Sequence, residues 1–141
     1  CTRERPALLR PGQLGRAALE AVLGAPLAEP DAQSPRASGT LASHYAPAAP
    51  VSLLDVAELC RRFTQPARPG GVVGVYSRAA PPGGPAWRFK PMPADASAVA
   101  HELFAVLRDL DAAGVAAIWV ETPPPGPEWD GVRDRLRRAA A

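Results

Sequence analysis

The segment from Ser34 to Pro50, SPRASGTLASHYAPAAP, is the part of the chain best suited to contact a ligand. Its Pro, Ala, Ser and Gly content is typical of an irregular connection rather than of a packed element. Near its end, His44 and Tyr45 place a titratable ring beside a phenol. Two interpretations remain open: a surface linker with two incidental polar rings, and a strap that lies across a ligand site.

Arg10 is the second residue that could bind a ligand. It ends the short apolar run from Pro6 and precedes Pro11-Gly12, which is a strong turn signal. At the end of a strand its guanidinium would face open space, and its planar fork of donors suits a phosphate. A solvated arginine at a turn is an equally good interpretation of the local pattern.

Other residues of chemical interest do not form recognised sites. The glycines at 70, 71, 74, 83 and 84 form no nucleotide-binding fingerprint, and the chain has no P-loop Lys-Ser/Thr. Two His and two Cys spread far apart predict no metal site. Five acidic residues lack a spacing suited to acid-base catalysis: Asp109, Asp111, Glu121, Glu128 and Asp130. We expect Cys60 to be a buried small hydrophobe and the arginines of the last helix to form a solvated face.

Composition limits the class of protein. A chain of 141 residues, 47% apolar and 21% charged, can hold one ordinary soluble domain and a short extra piece. The net charge of +2 is too small to imply nucleic-acid or membrane binding on its own. No apolar run is long enough to span a bilayer, and two cysteines fit a reducing compartment. We therefore expect a cytoplasmic protein with no membrane partner, and the initial Cys in place of Met indicates a chain that begins inside a larger protein.

The elements that must position these residues fall into two regions. Residues 1–33 read as one short strand and a helix at about 15–23, which Gly24 is placed to end. One strand and one helix cannot bury their own apolar faces, so we expect this region to dock on another unit. Residues 51–141 alternate helices with short apolar strands, and this order predicts an α/β fold: a small, open, mostly parallel sheet of the doubly wound kind. The predicted strands are Val51–Leu54, Val72–Tyr76, Trp87–Met92 and Val115–Val120.

Four segments, in this order and spacing, resemble the C-terminal part of the long, two-domain form of threonylcarbamoyl-AMP synthase. They are PALLRPG with its following helix, HYAP at the end of the strap, LFAVLRDLDAA from Leu103, and WDGVRDRLRRA from Trp129. The resemblance covers practically the whole chain. It implies that residues 1–33 are the C-terminal tail of a YrdC-like α/β catalytic domain, 34–50 the linker strap, and 51–141 a Rossmann-like C-terminal domain.

The resemblance also implies a function. In that family the N-terminal domain joins ATP, L-threonine and bicarbonate into threonylcarbamoyl-AMP and releases pyrophosphate, and the product serves N6-threonylcarbamoyladenosine formation in tRNA. It implies no catalytic residue in this chain, a nucleotide contact from Arg10, and a linker in which Tyr45, with His44 beside it, covers bound ATP. One departure is Ser38-Gly39-Thr40, where the family more often shows Pro-Gly-Met.

The expected ligands and partners follow from the same resemblance. ATP, with its Mg²⁺, is expected as a substrate, and no tightly bound cofactor is expected. L-threonine and bicarbonate would bind through the missing N-terminal domain, and other proteins of tRNA threonylcarbamoylation are the expected protein partners. Direct tRNA binding is left open. Two competing hypotheses are a stand-alone α/β module that binds protein or tRNA through the arginine-bearing last helix, and a degenerate remnant without activity.

Overall fold

The computed structural model describes residues 6–9, 12, 14–32, 34, 47–65 and 70–141. The elements are α1 (Arg16–Leu23), β1 (Val51–Leu54), α2 (Val56–Thr64), β2 (Val73–Ser77), β3 (Trp87–Pro91), α3 (Ala96–Ala112), β4 (Ala117–Glu121) and α4 (Asp130–Ala139), with a 3-10 turn at Pro127–Trp129. The predictions for Arg10, His44 and Tyr45, and the departure at Ser38-Gly39-Thr40, lie outside the described residues.

The four strands form one open sheet in the order β1-β4-β2-β3, and every neighbouring pair is parallel. This confirms the α/β fold predicted from the alternation of helices and short apolar strands. All five residues of β4 are buried, as expected of a central strand that is apolar on both faces. Strand β3 lies at the edge that its flanking prolines indicate. Strand β1 was predicted to be buried, but it lies at the opposite edge and only its last residue, Leu54, is buried.

Helices cover both faces of the sheet. The larger core lies under α3 and α4, where Leu103, Leu107 and Leu136 pack against the apolar residues of β4 and β2. The longest helix, α3, begins where the sequence predicts, because the Asp95 carboxylate accepts a hydrogen bond from the Ala98 N–H at 2.8 Å. Helix α3 follows β3, and α4 follows β4 after a loop and the 3-10 turn, so both helices begin on the side of the carboxyl edge of the sheet.

The opposite face carries α2 and a smaller aromatic core. Phe63 meets Trp87 edge-to-face with ring centroids 5.3 Å apart, and Leu59 packs beside them. Only this narrow stripe of α2 faces the sheet. The prediction that Cys60 is buried is wrong: its thiol is exposed, because Cys60 lies one position, or about 100°, round the helix from Leu59.

The described residues before the strap contact one another, but they form neither the predicted strand nor a buried helix. The predicted strand from Pro6 is reduced to one parallel bridge, in which the Leu8 N–H donates to the Ala28 carbonyl at 3.1 Å. The Arg16 guanidinium donates to the Leu27 carbonyl at 2.7 Å and ties α1 to the same segment. None of the residues of α1, all of which are described, is buried, and Val22 is 87% exposed. The apolar side of this helix is therefore uncovered.

Candidate interdomain site

The carboxyl ends of the strands, where open α/β sheets usually bind ligands, hold an ion pair whose carboxylate is buried and whose guanidinium is partly exposed. Glu121 ends β4 and is 1% exposed, and Arg78 follows the neighbouring β2. The Arg78 backbone N–H donates to Glu121 Oε2 at 2.7 Å, its Nε donates to Oε1 at 2.8 Å, and its Nη2 also donates to Oε1. Arg78 thus hydrogen-bonds both oxygens of the Glu121 carboxylate. The pair stabilises this edge of the sheet, and Glu121 is not a free acid or base. The sequence signal was available: each residue follows a β-rich run, and neighbouring parallel strands end together.

A cavity of about 500 Å³ lies beside this edge, between the N-terminal region and the main domain. Gly12, Gly15 and the start of α1 line one wall. The opposite wall is formed by the first turn of α3, by the 3-10 turn Pro127–Trp129 and by α4. Most lining side chains are alanine, glycine or another apolar residue, so the space separates two folded parts and carries few groups that could bind a ligand.

The two walls meet where α4 begins. A Cβ atom added to Gly131 would lie 2.7 Å from the carbonyl oxygen of Gly12, closer than side chains approach a carbonyl. Only glycine at position 131 permits this contact between the tail and the main domain. Sequence reasoning missed Gly131, although an isolated glycine inside a helical pattern is a recognised signal of close backbone approach.

Arg135 lines the same cavity and is hydrogen-bonded to the neighbouring helix α3. Its Nη1 donates to the Ala100 carbonyl on α3 at 3.2 Å. Its Nε is buried, and no hydrogen-bond partner for that atom occurs in the described part of the chain. The bond from Nη1 to the Ala100 carbonyl ties α4 to α3.

The prediction that the arginines of the last helix form a solvated face is wrong in part. Arg133 donates to the Pro124 carbonyl, to the Gly126 carbonyl at 2.9 Å and to Asp130. Arg138 donates through Nε to the Asp134 carboxylate at 3.1 Å. Arg135 is also hydrogen-bonded, so most guanidinium groups of α4 donate to groups of the same domain. The Pro-rich loop before α4 supplies the carbonyls that Arg133 bonds, whereas Arg135 bonds to α3 and Arg138 bonds to a carboxylate of its own helix.

The end of the strap is held by the main domain. The Ala49 N–H donates to Asp111 Oδ1 at 2.8 Å, and the Ala48 N–H donates to Oδ2 of the same carboxylate at 3.2 Å. Asp111 lies in the last turn of α3. From the sequence, Asp111 is only a poor acid-base candidate. Nothing in its local pattern indicates a contact with Ala49, which lies 62 residues away in the chain.

The remaining polar and titratable groups have structural environments. Burial, and then the hydrogen bond from the Tyr76 hydroxyl to Glu102 Oε1 at 2.9 Å, raise the pKa of Tyr76 far above its ordinary value. This phenol therefore stays neutral. His101 is exposed, as expected. Among the described residues, no three His, Cys, Asp or Glu side chains cluster as a metal site. A helix able to span a bilayer is likewise not found in the described ranges.

The fold and contacts thus define a Rossmann-like α/β domain that holds Ala48 and Ala49 through Asp111 and approaches Gly12 closely at Gly131. The family described as threonylcarbamoyl-AMP synthase, C-terminal domain, matches residues 14–141. The chain therefore belongs to that family.

Two solved structures are similar over 99% of this chain. The crystal structure of P. abyssi Sua5 complexed with L-threonine has a TM-score of 0.69 and 26% sequence identity, and the match covers 44% of that chain. A variant of P. abyssi Sua5, in which an adjacent histidine and tyrosine are both replaced by alanine, has a TM-score of 0.67 and 25% identity, with 42% of its length covered. This chain thus spans less than half the length of these proteins. A comparison with curated proteins finds no match.

Proposed function

We propose that this chain is the C-terminal part of a threonylcarbamoyl-AMP synthase. In the complete protein, ATP, L-threonine and bicarbonate are converted to threonylcarbamoyl-AMP and pyrophosphate, and the product supplies N6-threonylcarbamoyladenosine in tRNA. The observation that carries the proposal is the family match over residues 14–141, which is supported by the structural likeness to P. abyssi Sua5 over 99% of the chain. Such an enzyme acts in the cytoplasm. Mg²⁺ binds together with ATP as part of the substrate.

In this proposal residues 1–33 are the tail of the catalytic YrdC-like domain, 34–50 the strap, and 51–141 the C-terminal domain. The uncovered side of α1 supports the first assignment, since Leu14 is 63% and Val22 87% exposed. Apolar side chains in such a stripe gain stability only when another surface covers them. The close approach of Gly12 to Gly131 supports a direct contact between the catalytic domain and the C-terminal domain.

The C-terminal domain acts on the nucleotide through the strap. Tyr45, with His44 beside it, covers bound ATP, and Arg10 contacts its phosphates. The replaced pair in the P. abyssi variant is an adjacent histidine and tyrosine, the same two residue types as His44-Tyr45. Adenylate formation breaks the bond between the α- and β-phosphates, and a fixed guanidinium stabilises the charge that develops on pyrophosphate. A closed strap also keeps water from the labile carbamate and the mixed anhydride.

The proposal is tested on the complete protein by measuring pyrophosphate release with ATP, L-threonine and bicarbonate. We expect release to require all three substrates. Tyr45→Ala should raise KM for ATP and accelerate loss of threonylcarbamoyl-AMP to hydrolysis, whereas Tyr45→Phe, which keeps the ring, should retain most of the covering effect. Pyrophosphate release that does not depend on L-threonine would exclude the assigned reaction. Equal kinetics for Tyr45→Ala and the wild type would exclude the covering role.

The tRNA-binding alternative is weakened by the contacts of α4. Arg133, Arg135 and Arg138 each donate to groups of the same domain, so few guanidinium donors remain for phosphates. We therefore propose no tRNA-binding role for this helix. Binding of tRNA to the chain that weakens with salt and disappears on neutralising Arg137 would reverse that conclusion.

A further inference from the structure

The chain leaves the neighbouring strands β2 and β4 toward opposite faces of the sheet. After β2 it returns to β3 along the α2 face, where Ala79 and Ala86 pack against the smaller aromatic core. After β4 it turns to the other face, where α4 packs into the larger core. In open α/β sheets such a divergence leaves a crevice between the two strand ends, and ligands bind there. This crevice is separate from the interdomain cavity, whose lining includes neither Arg78 nor Glu121.

Arg78 and Glu121 lie on the two sides of this crevice. Arg78 is the first residue after β2, and Glu121 is the last residue of β4. The side chain of Glu121 is 2% exposed, whereas that of Arg78 is 38% exposed. The carboxylate therefore lies at the base of the crevice, and the guanidinium reaches its surface.

Arg78 is held in place at both its backbone and its side chain. Its N–H donates to Glu121 Oε2 at 2.7 Å, and its Nε donates to Oε1 at 2.8 Å. The preceding residue, Ser77, is fully buried, and its carbonyl accepts the Met92 N–H at 3.0 Å. The Ser77 hydroxyl donates to the Ala79 carbonyl on the other side of Arg78. A guanidinium that is fixed in this way loses little conformational freedom when it binds a ligand.

One edge of the Arg78 guanidinium is free. Of its five N–H groups, the one on Nε and one on Nη2 donate to Glu121, so both N–H groups of Nη1 and the second of Nη2 remain. These remaining donors have no partner in the described part of the chain. They form the end of the planar fork, which presents two parallel N–H groups. The two oxygens of one carboxylate match this fork.

Stability alone does not explain an ion pair at this position. Loss of one partner of a buried pair destabilises a protein, but apolar residues of similar volume usually stabilise the same position as well as the intact pair does. What the Glu121 carboxylate supplies is a fixed orientation for the guanidinium. Because the pair is neutral as a unit, the geometry of the fork selects the ligand more than the ligand's total charge does, and a monoanion loses less hydration than a dianion.

We propose that the crevice between the ends of β2 and β4 is a binding site for the carboxylate group of a small molecule. Arg78 binds the carboxylate through the free edge of its guanidinium, and Glu121 is the residue that positions Arg78. The site belongs to the C-terminal domain alone, and it does not depend on the reaction proposed above.

The test is a titration of the 141-residue chain with acetate at pH 7, in which the arginine Nε–H signals are followed by ¹⁵N NMR. We expect the Nε–H and backbone amide signals of Arg78 to shift along a saturating curve with a Kd of about 10 mM. Arg78→Lys keeps the charge and can still pair with Glu121, but it lacks the fork, so acetate binding should weaken by about tenfold or more. Arg88→Lys is the matched control, because Arg88 is an exposed arginine of the edge strand β3, and this variant should bind acetate as the wild type does.

The wild-type signals test the site even if Arg78→Lys does not fold. Saturating shifts at Arg78 that are absent at Arg88 would support the site. Linear shifts at Arg78, or equal shifts at the two arginines, would overturn it. Inorganic phosphate at matched ionic strength tests the class of ligand, because tighter binding of phosphate than of acetate would overturn the assignment to a carboxylate.

Discussion

Replacement of Gly131 by alanine tests the docking between the tail and the C-terminal domain through the sign of a stability change. The new Cβ would lie 2.7 Å from the Gly12 carbonyl oxygen, against about 3.4 Å for an ordinary C···O contact, so the backbone must separate by about 0.7 Å. Forced overpacking of this kind costs about 1–3 kcal/mol. Alanine also favours the helical conformation of α4 by up to about 1 kcal/mol relative to glycine.

The two effects oppose each other, and the docked tail decides which one dominates. We expect Gly131→Ala to lower the free energy of unfolding of the chain by about 1 kcal/mol, the difference between these terms. The measurement is urea denaturation followed by tryptophan fluorescence, since the buried Trp129 lines the same cavity. Gly15→Ala controls for a methyl group added on the facing wall of the cavity, because no atom lies within 4 Å of its added Cβ; as the extended N-cap of α1 it does not report helix propensity. A gain in stability for Gly131→Ala would show helix propensity acting alone and would refute the docking contact.

Two further predictions concern buried polar groups. Glu121→Gln should lower the free energy of unfolding by about 2 kcal/mol, because it weakens the charge-assisted bonds to Arg78, and a loss below about 0.5 kcal/mol in urea denaturation would contradict this. Burial raises the pKa of Tyr76, so the folded state favours the neutral phenol. The stability gained from this preference is complete below the ordinary tyrosine pKa of about 10, and it is lost as the pH rises above that value. In a spectrophotometric titration of the folded chain, Tyr76→Phe should therefore leave the curve unchanged, and a step that disappears with this variant while the chain stays folded would contradict the prediction.

The order and type of the main elements could be predicted from the sequence because local signals determine them. The apolar run at Val115–Val120 has no polar alternation, so it had to be covered on both sides, and it forms the central β4. The acidic N-cap Asp95 and the glycine at position 114 bracket α3, and Gly114 adopts the left-handed φ of 67°. Prolines on both sides of Trp87–Met92 indicated an edge strand.

The contacts that define the candidate site could not be predicted, because they join residues far apart in the chain. Asp111 and Glu121 look like ordinary acidic residues until the fold places a strap or a neighbouring strand end against them. The burial of Cys60 was predicted wrongly because a helix on a small sheet buries a narrower stripe than its apolar residues mark out. The arginines of α4 look solvated in sequence, whereas the fold places carbonyls of the preceding loop against Arg133 and the Ala100 carbonyl against Arg135, and no periodicity indicates these contacts.

The most direct test of the central claim compares the N-terminal domain alone with the complete protein. Each protein forms threonylcarbamoyl-AMP from ATP, L-threonine and bicarbonate, and the assay measures the rate at which this adenylate is lost to hydrolysis. The account predicts that the complete protein retains the adenylate and that removing the strap and the C-terminal domain accelerates its loss. Equal rates of loss for the two proteins would contradict the claim that this chain closes over the nucleotide.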